Sequence, residues 1–286
     1  MLDLSFKSKL ISLQRIVPNL EDLKKISNEK VHEIEQNMQK IDAVDFTYSV
    51  NNRIYNGFYA KMSSLKEKTR PVIIVHRGGY EMFGYVDADR IYTGYIACLI
   101  KSGYIVIGSQ CMGTGDNGAL DDYGGSDLES FLKLKEFIDN DIYADSSRIA
   151  LYGISRGGIS VFQMIRKVDW VKSVVTVSPL VDLRDDTFRP EMKNVIQRAF
   201  GGSQKDRIIR SAICHVLDFP CNIPILLLYG ALDKRVDPRT GLDFSKKMLA
   251  CKIPHRLVLF EGAGHSLKEC RSEAQAMMLD WFEKYL

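Results

Sequence analysis

Arg148-Ile149-Ala150-Leu151-Tyr152-Gly153-Ile154-Ser155-Arg156-Gly157-Gly158 decides the reading of this chain. It opens with a short apolar run. After it Val161, Phe162, Met164, Ile165 and Val168 recur at helical spacing. A serine between glycines at a strand-to-helix junction is the nucleophile-elbow pattern. Such a turn is too tight for side chains at its glycine positions. It lifts the serine oxygen to the carboxyl end of a sheet. Ser155 is therefore expected to attack a carbonyl.

Outward from the elbow, strand-like and helix-like stretches alternate. Pro71–Val75 is a continuous β-branched run, as in a parallel strand buried on both faces. Helix, strand and helix are predicted at 90–101, 104–109 and 126–140, the last opened by a capping box, Ser126-Asp127-Leu128-Glu129. Strands follow at 173–177, 224–229 and 256–260, and helices at 239–251 and 268–285. Phe46 to Ala60 reads as an edge hairpin turning at Asn51-Asn52. The expected class is α/β, with a mostly parallel sheet of about eight strands and helices on both faces.

The segment before the hairpin, 1–45, is read as helical, starting at Pro18-Asn19 with apolar residues at Leu20, Leu23, Ile26, Val31, Ile34, Met38 and Ile41. It packs on the domain in the plain reading; a lid or a homodimer contact is the alternative. Residues 46–286 form the catalytic domain, with a helical cap excursion at 182–220.

In open α/β sheets ligands sit beyond the carboxyl ends of the strands. After Pro71–Val75 comes His76-Arg77-Gly78-Gly79-Tyr80. After the strand at 224–229 comes Gly230-Ala231-Leu232-Asp233, and after that at 256–260 comes Glu261-Gly262-Ala263-Gly264-His265. The order Ser155, Asp233, His265 is that of an α/β-hydrolase fold. A serine hydroxyl needs a base, for which His265 is the candidate. Asp233 would hold the imidazole in one tautomer. The oxyanion needs preorganised donors, each worth roughly 3–4 kcal/mol. The Arg156 N–H is one candidate; the His76–Gly79 loop, with Arg77, supplies the other. Asp237, just before Pro238, reads as a helix start, and His76 as part of the loop. His215 sits in the excursion, and His32 and His255 lie in no motif.

These residues resemble the catalytic domain of the prolyl oligopeptidase family of serine peptidases. The resemblance runs from about Phe46 to the end of the chain. It is carried by the His76-Arg77-Gly78-Gly79 loop, Tyr123 to Glu129, the doubled Gly157-Gly158, Ile223 through Asp233-Lys234-Arg235-Val236, and Gly262-Ala263-Gly264-His265. It implies triad roles for Ser155, Asp233 and His265. Three features depart from the family. Members usually carry a β-propeller before this domain, but only about 45 residues precede the hairpin here, too few for one. Arg77 stands where many members have Tyr or Gly. Gln110 to Thr114 lacks an arginine often found there.

Tyr80, Met82, Phe83 and Tyr85 follow the oxyanion loop. Tyr80 and Phe83 are the first candidates to line a substrate pocket. The excursion contains Phe188 and Phe200 with Arg184, Asp185, Asp186 and Arg189; its charges read as a solvated face, with Arg184 or Arg189 binding a substrate carboxylate as the alternative. The expected reaction is hydrolysis of a peptide or related acyl bond. An esterase of small substrates is the alternative, and a non-catalytic binding protein the third reading.

With 39 basic and 36 acidic residues, the charge balance gives no reason to expect nucleic acid or an anionic membrane as partner. Apolar runs such as 225–229 are far too short to span a bilayer. Six scattered cysteines and no h-region after Met1 point to free thiols and a cytoplasmic location. Five histidines without an H-E-x-x-H pattern or a cysteine cluster make a metal site unexpected, and no cofactor is expected.

Overall fold

The computed structural model describes residues 7–19, 21, 27–65, 69–111, 114, 120–185 and 187–286. Its strands are β1 (Ser12–Arg15), β2 (Ile41–Val50), β3 (Arg53–Met62), β4 (Arg70–His76), β5 (Ile105–Ser109), β6 (Ala144–Ile154), β7 (Val171–Val177), β8 (Ile225–Gly230) and β9 (His255–Phe260). The helices are α1 (Asn28–Met38), α2 (Ala88–Tyr92), α3 (Gly94–Lys101), α4 (Leu128–Asp139), α5 (Gly157–Ile165), α6 (Met192–Phe200), α7 (Gln204–Arg210), α8 (Pro238–Ala250) and α9 (Arg271–Tyr285).

All nine strands form one sheet in the order β1-β2-β3-β5-β4-β6-β7-β8-β9. From β5 to β9 every neighbouring pair is parallel; β1, β2 and β3 join antiparallel. Alternate residues of the central strands feed opposite faces, as the period of two demands. Val72 and Ile74 pack with Phe131 of α4, Val161 of α5 and Phe244 of α8. Ile73 and Val75 pack with Leu99 of α3 and with Met278 and Phe282 of α9. Helices therefore cover both faces, and the architecture is the expected α/β-hydrolase fold. The chain leaves β4 toward β5 on one side and returns to β6 on the other. That reversal of strand order, at the carboxyl ends of β4 and β6, is the switch point at which such sheets bind ligands.

The hairpin turns where expected, with Asn51 at φ 50° and Asn52 at φ 61°, the pair of left-handed residues a tight hairpin turn requires. Its outer strand is not the sheet edge, because β1 pairs beyond it, Ser12 opposite Thr47. This corrects the helical reading of 1–45. Asn28–Met38 is helical, but Ser12–Arg15 and Ile41 onward are strand, and β2 runs straight through the expected boundary at 45. Leu20, Asp22, Leu23 and Ile26 of the expected first helix lie outside the described residues. The helix expected at 90–101 is two, α2 and α3, divided at Thr93, which is extended, ahead of Gly94 at φ 62°.

The capping box before α4 does not form. Asp127 takes the cap position, and the Ser126 hydroxyl instead accepts a hydrogen bond from Arg53. Asp127 turns inward, accepting from Gly124 N at 3.1 Å. The excursion at 182–220 is helical as expected, with α6, α7 and two short 3₁₀ turns.

Candidate active site

The elbow bends at Ser155, whose φ of 54° is left-handed, a conformation unfavourable for a side chain and held only where the surroundings enforce it. Here the enforcement is backbone pairing: Ser155 N donates to Val177 O at 2.9 Å, and Ser155 O accepts from Leu180 N at 2.9 Å. Gly157 starts α5 directly against β4, and a side chain there would run into the His76 carbonyl. That contact brings the elbow and the His76–Gly79 loop together.

The Asp233 carboxylate is shut off from solvent beneath His265. Its Oδ2 lies 2.7 Å from His265 Nδ1, and its Oδ1 accepts from Arg235 N at 2.7 Å and Val236 N at 3.0 Å. An ionised carboxylate only accepts, so Nδ1 carries the proton and Nε2 is left as the basic nitrogen. Burial works against the Asp233 charge. The His265 hydrogen bond and its charge, with the two backbone donors, outweigh burial and hold the carboxyl below its usual range. Asp237 caps α8, accepting from Arg239 N at 3.0 Å, which is the helix-start role expected of it.

Ser155, Arg156 and His265 line one cavity of about 910 Å³. Gly78 and Gly79 form its floor beside the serine; a Cβ on Gly78 would stand 3.3 Å from Ser155 Cβ. Tyr80, Met82 and Phe83 line it and Tyr85 does not, Phe83 being 65% exposed with the Arg235 guanidinium 5.7 Å from its ring centre. Leu183, Met192, Val195 and Ile196 of the excursion close the opposite wall. No described residue of 7–45 lines the cavity.

Arg77 is placed differently from the expectation. Its guanidinium is 1% exposed and turned away from the cavity. Nε donates to Gln110 O at 2.7 Å, Nη1 to Gly78 O and Phe83 O, and Nη2 to Glu81 O at 2.6 Å. Five fixed donors matched to four carbonyls make Arg77 the knot of the loop, not a group free to meet an oxyanion. Gly78 N and Gly79 N both donate to no described group; Gly78, packed against Ile154 and Ser155, is the candidate donor of the two beside the serine. His76 is buried, its ring stacked 4.0 Å from that of Phe131, and burial followed by the Arg156 charge pushes it down to about 3. It stays neutral and structural.

Neither arginine of the carboxylate alternative is free. Arg184 is held by Asp182, with Nη2 at 2.6 Å, and Arg189, which does reach the cavity, pairs with Glu191 at 2.8 Å. Asp186 lies outside the described residues. The sequence reading missed Asp121, a buried carboxylate 2.6 Å from Arg156 Nη1. Nothing in the stretch before Tyr123 signals it, because a buried aspartate and a turn aspartate look alike in sequence. Among the described residues there is no cluster of three or more His, Cys, Asp or Glu able to hold a metal ion. No helix among them is long and apolar enough to cross a membrane.

Residues 92–286 match the model of the prolyl oligopeptidase family. The chain belongs to that family. Among curated proteins it is similar to the acylamino-acid-releasing enzymes of Sus scrofa and Rattus norvegicus. The first is 24% identical over 233 residues, 76% of this chain and 31% of the relative. The second is 22% identical over 235 residues, with the same coverage of 76% and 31%. Among solved structures it resembles an acylaminoacyl peptidase of Pyrococcus horikoshii, with a TM-score of 0.73 at 18% identity over 88% of this chain and 43% of that one. It also resembles a puromycin hydrolase, with a TM-score of 0.70 at 20% identity over 83% and 38%. The chain spans about a third of the length of the curated relatives it matches. The family read from the sequence is borne out, and the structural likeness is one of fold.

Proposed function

We propose that this prolyl oligopeptidase family chain is the catalytic domain of a serine hydrolase that cleaves a peptide or related acyl bond. Ser155 Oγ attacks the carbonyl while His265 Nε2 takes its proton. His265 then protonates the leaving group as the acyl-enzyme forms, and water repeats the sequence to release the acid. Asp233 keeps the ring in the required tautomer and steadies its charged form. Arg156 N and Gly78 N receive the oxyanion. The observation that carries this reading is the 2.7 Å Asp233–His265 contact, made at the rim of the cavity that also holds Ser155.

The names of the curated relatives support a substrate with an acyl-blocked amino end. The cavity, walled by the chain's own α6, suits a short one. The test is a panel of N-acetyl-aminoacyl and free aminoacyl p-nitroanilides with p-nitrophenyl esters, run on wild type and Ser155→Ala. Turnover of the blocked anilides, abolished in Ser155→Ala with the melting temperature kept, supports the proposal. Ester turnover with no anilide turnover would make the chain an esterase, and a fluorophosphonate that leaves Ser155 unlabelled would sink both.

A further inference from the structure

The two N–H groups read as oxyanion donors stand on separate segments. Arg156 N belongs to the elbow between β6 and α5, and Gly78 N to the loop between β4 and α2. One side chain touches both segments. Asp121 is fully buried. Its Oδ1 accepts from Arg156 Nη1 at 2.6 Å and from Tyr123 N at 3.0 Å. Its Oδ2 accepts from Glu81 N at 3.4 Å and lies 3.9 Å from Arg77 Nη2. One oxygen thus holds the elbow, and the other holds the loop that Arg77 has already closed around Gly78.

The charges match this division. Arg77 and Arg156 face Asp121 and Asp127, the latter 3.5 Å from Arg156 Nη1. Arg156 Nη2 also reaches Cys111 Sγ at 3.1 Å. All five side chains are buried. Removing the Asp121 charge leaves two buried guanidiniums facing one carboxylate, so they separate and carry their segments with them. Of these five residues only Arg156 lines the cavity, whose wall is otherwise made in part by α6 and Phe83.

We propose that Asp121 is a positioning residue of the oxyanion hole, holding Arg156 N and Gly78 N in register across the Ser155 elbow; the inference rests on the serine-hydrolase reading above. Displacing a donor by about 1 Å costs about 10² in rate. The loss falls on the tetrahedral state and leaves ground-state binding alone.

The experiment compares wild type with Asp121→Asn, which keeps the shape and removes the charge. It reads kcat and KM on an anilide or ester turned over by the wild type. It also reads the inhibition constant of a peptide aldehyde. In that adduct the Ser155 Oγ–carbon bond forms, the serine proton passes to His265, and the carbonyl π pair becomes the oxyanion. The expected result is a kcat lower by about 10²-fold, a KM within about threefold, and aldehyde affinity falling in step with kcat. The pH at half-maximal rate should not move, because His265 and Asp233 are untouched. An unchanged kcat, or a kcat that falls while aldehyde affinity holds, overturns the proposal.

Should Asp121→Asn fail to fold, Asp121→Glu keeps the charge and displaces the carboxylate by one methylene from its Arg156 and Glu81 N partners. A loss of about tenfold in kcat and aldehyde affinity is then expected, and a change confined to KM overturns the idea. A wild type whose Ser155 takes no fluorophosphonate brings down the serine-hydrolase reading and this inference together. A labelled, active wild type matched by Asp121→Asn overturns the Asp121 role alone.

Discussion

At the scale of single residues, the site depends on which atoms lack a choice. Asp233 can only accept, so the proton of His265 is committed to Nδ1. Asp233→Asn substitutes an amide that can donate, which favours the opposite tautomer and removes the charge that steadies the imidazolium. Turnover should fall about 10⁴-fold with KM little changed, as steady-state kinetics on the same anilide would show. A two- or threefold fall would mean that Asp233 does not orient the base. The three triad candidates were legible because each follows a strand and in the hydrolase order. Arg77 was not, because a sequence names a residue without giving the direction of its side chain. Here the carbonyls of Gly78, Glu81, Phe83 and Gln110 draw the guanidinium inward.

At the scale of elements, legibility followed burial. Strands β4 to β8 are runs of Val, Ile and Leu that carry their own signal, since only a strand covered on both faces reads that way. Ser12–Arg15 carries none. It is a short polar edge strand, mostly exposed, and its pairing with β2 is decided by β2 rather than by its own residues. The box at Ser126 was misread for a related reason: local capping lost to a tertiary partner, Arg53. In β2, Asp45 stands opposite Gln14 of β1 and Phe58 of β3. Burial first, then the Asp87 charge, pushes its carboxyl up to about 7. The folded chain thus holds this proton more tightly than the unfolded chain. Ionising Asp45 costs stability, and that cost is absent below the ordinary carboxylate range, grows as pH rises, and is complete above about 7. Asp45→Asn should therefore melt at the wild-type temperature near pH 4 and about a few °C higher near pH 8. Melting curves at the two values check this; an equal gain at both would mean that Asp45 is not titrating in that window.

At the scale of the whole molecule, the sheet supplies the chemistry and the 182–220 excursion supplies much of the cavity wall. The described part of 7–45 instead extends the sheet at its antiparallel end, where β1 and β2 join β3. The excursion is tied down by a separate apolar cluster, in which Leu183 and Ile196 pack with Tyr123 and Ile159, so it sits directly over the elbow helix. Met192 and Val195 are half-buried at its inner face, packed against that cluster while lining the cavity. Trimming both to alanine shortens the wall without touching Ile196 or Leu183. The Michaelis constant for substrates with a bulky apolar acyl or side-chain group should then rise about tenfold. The kcat/KM for an acetyl ester, too small to reach the wall, should stay within about twofold, because the groups around Ser155 are unmoved. Steady-state kinetics on the two substrates separates the cases. An equal loss on both would make α6 a support of the elbow, acting through Ile159, instead of a surface that selects substrates.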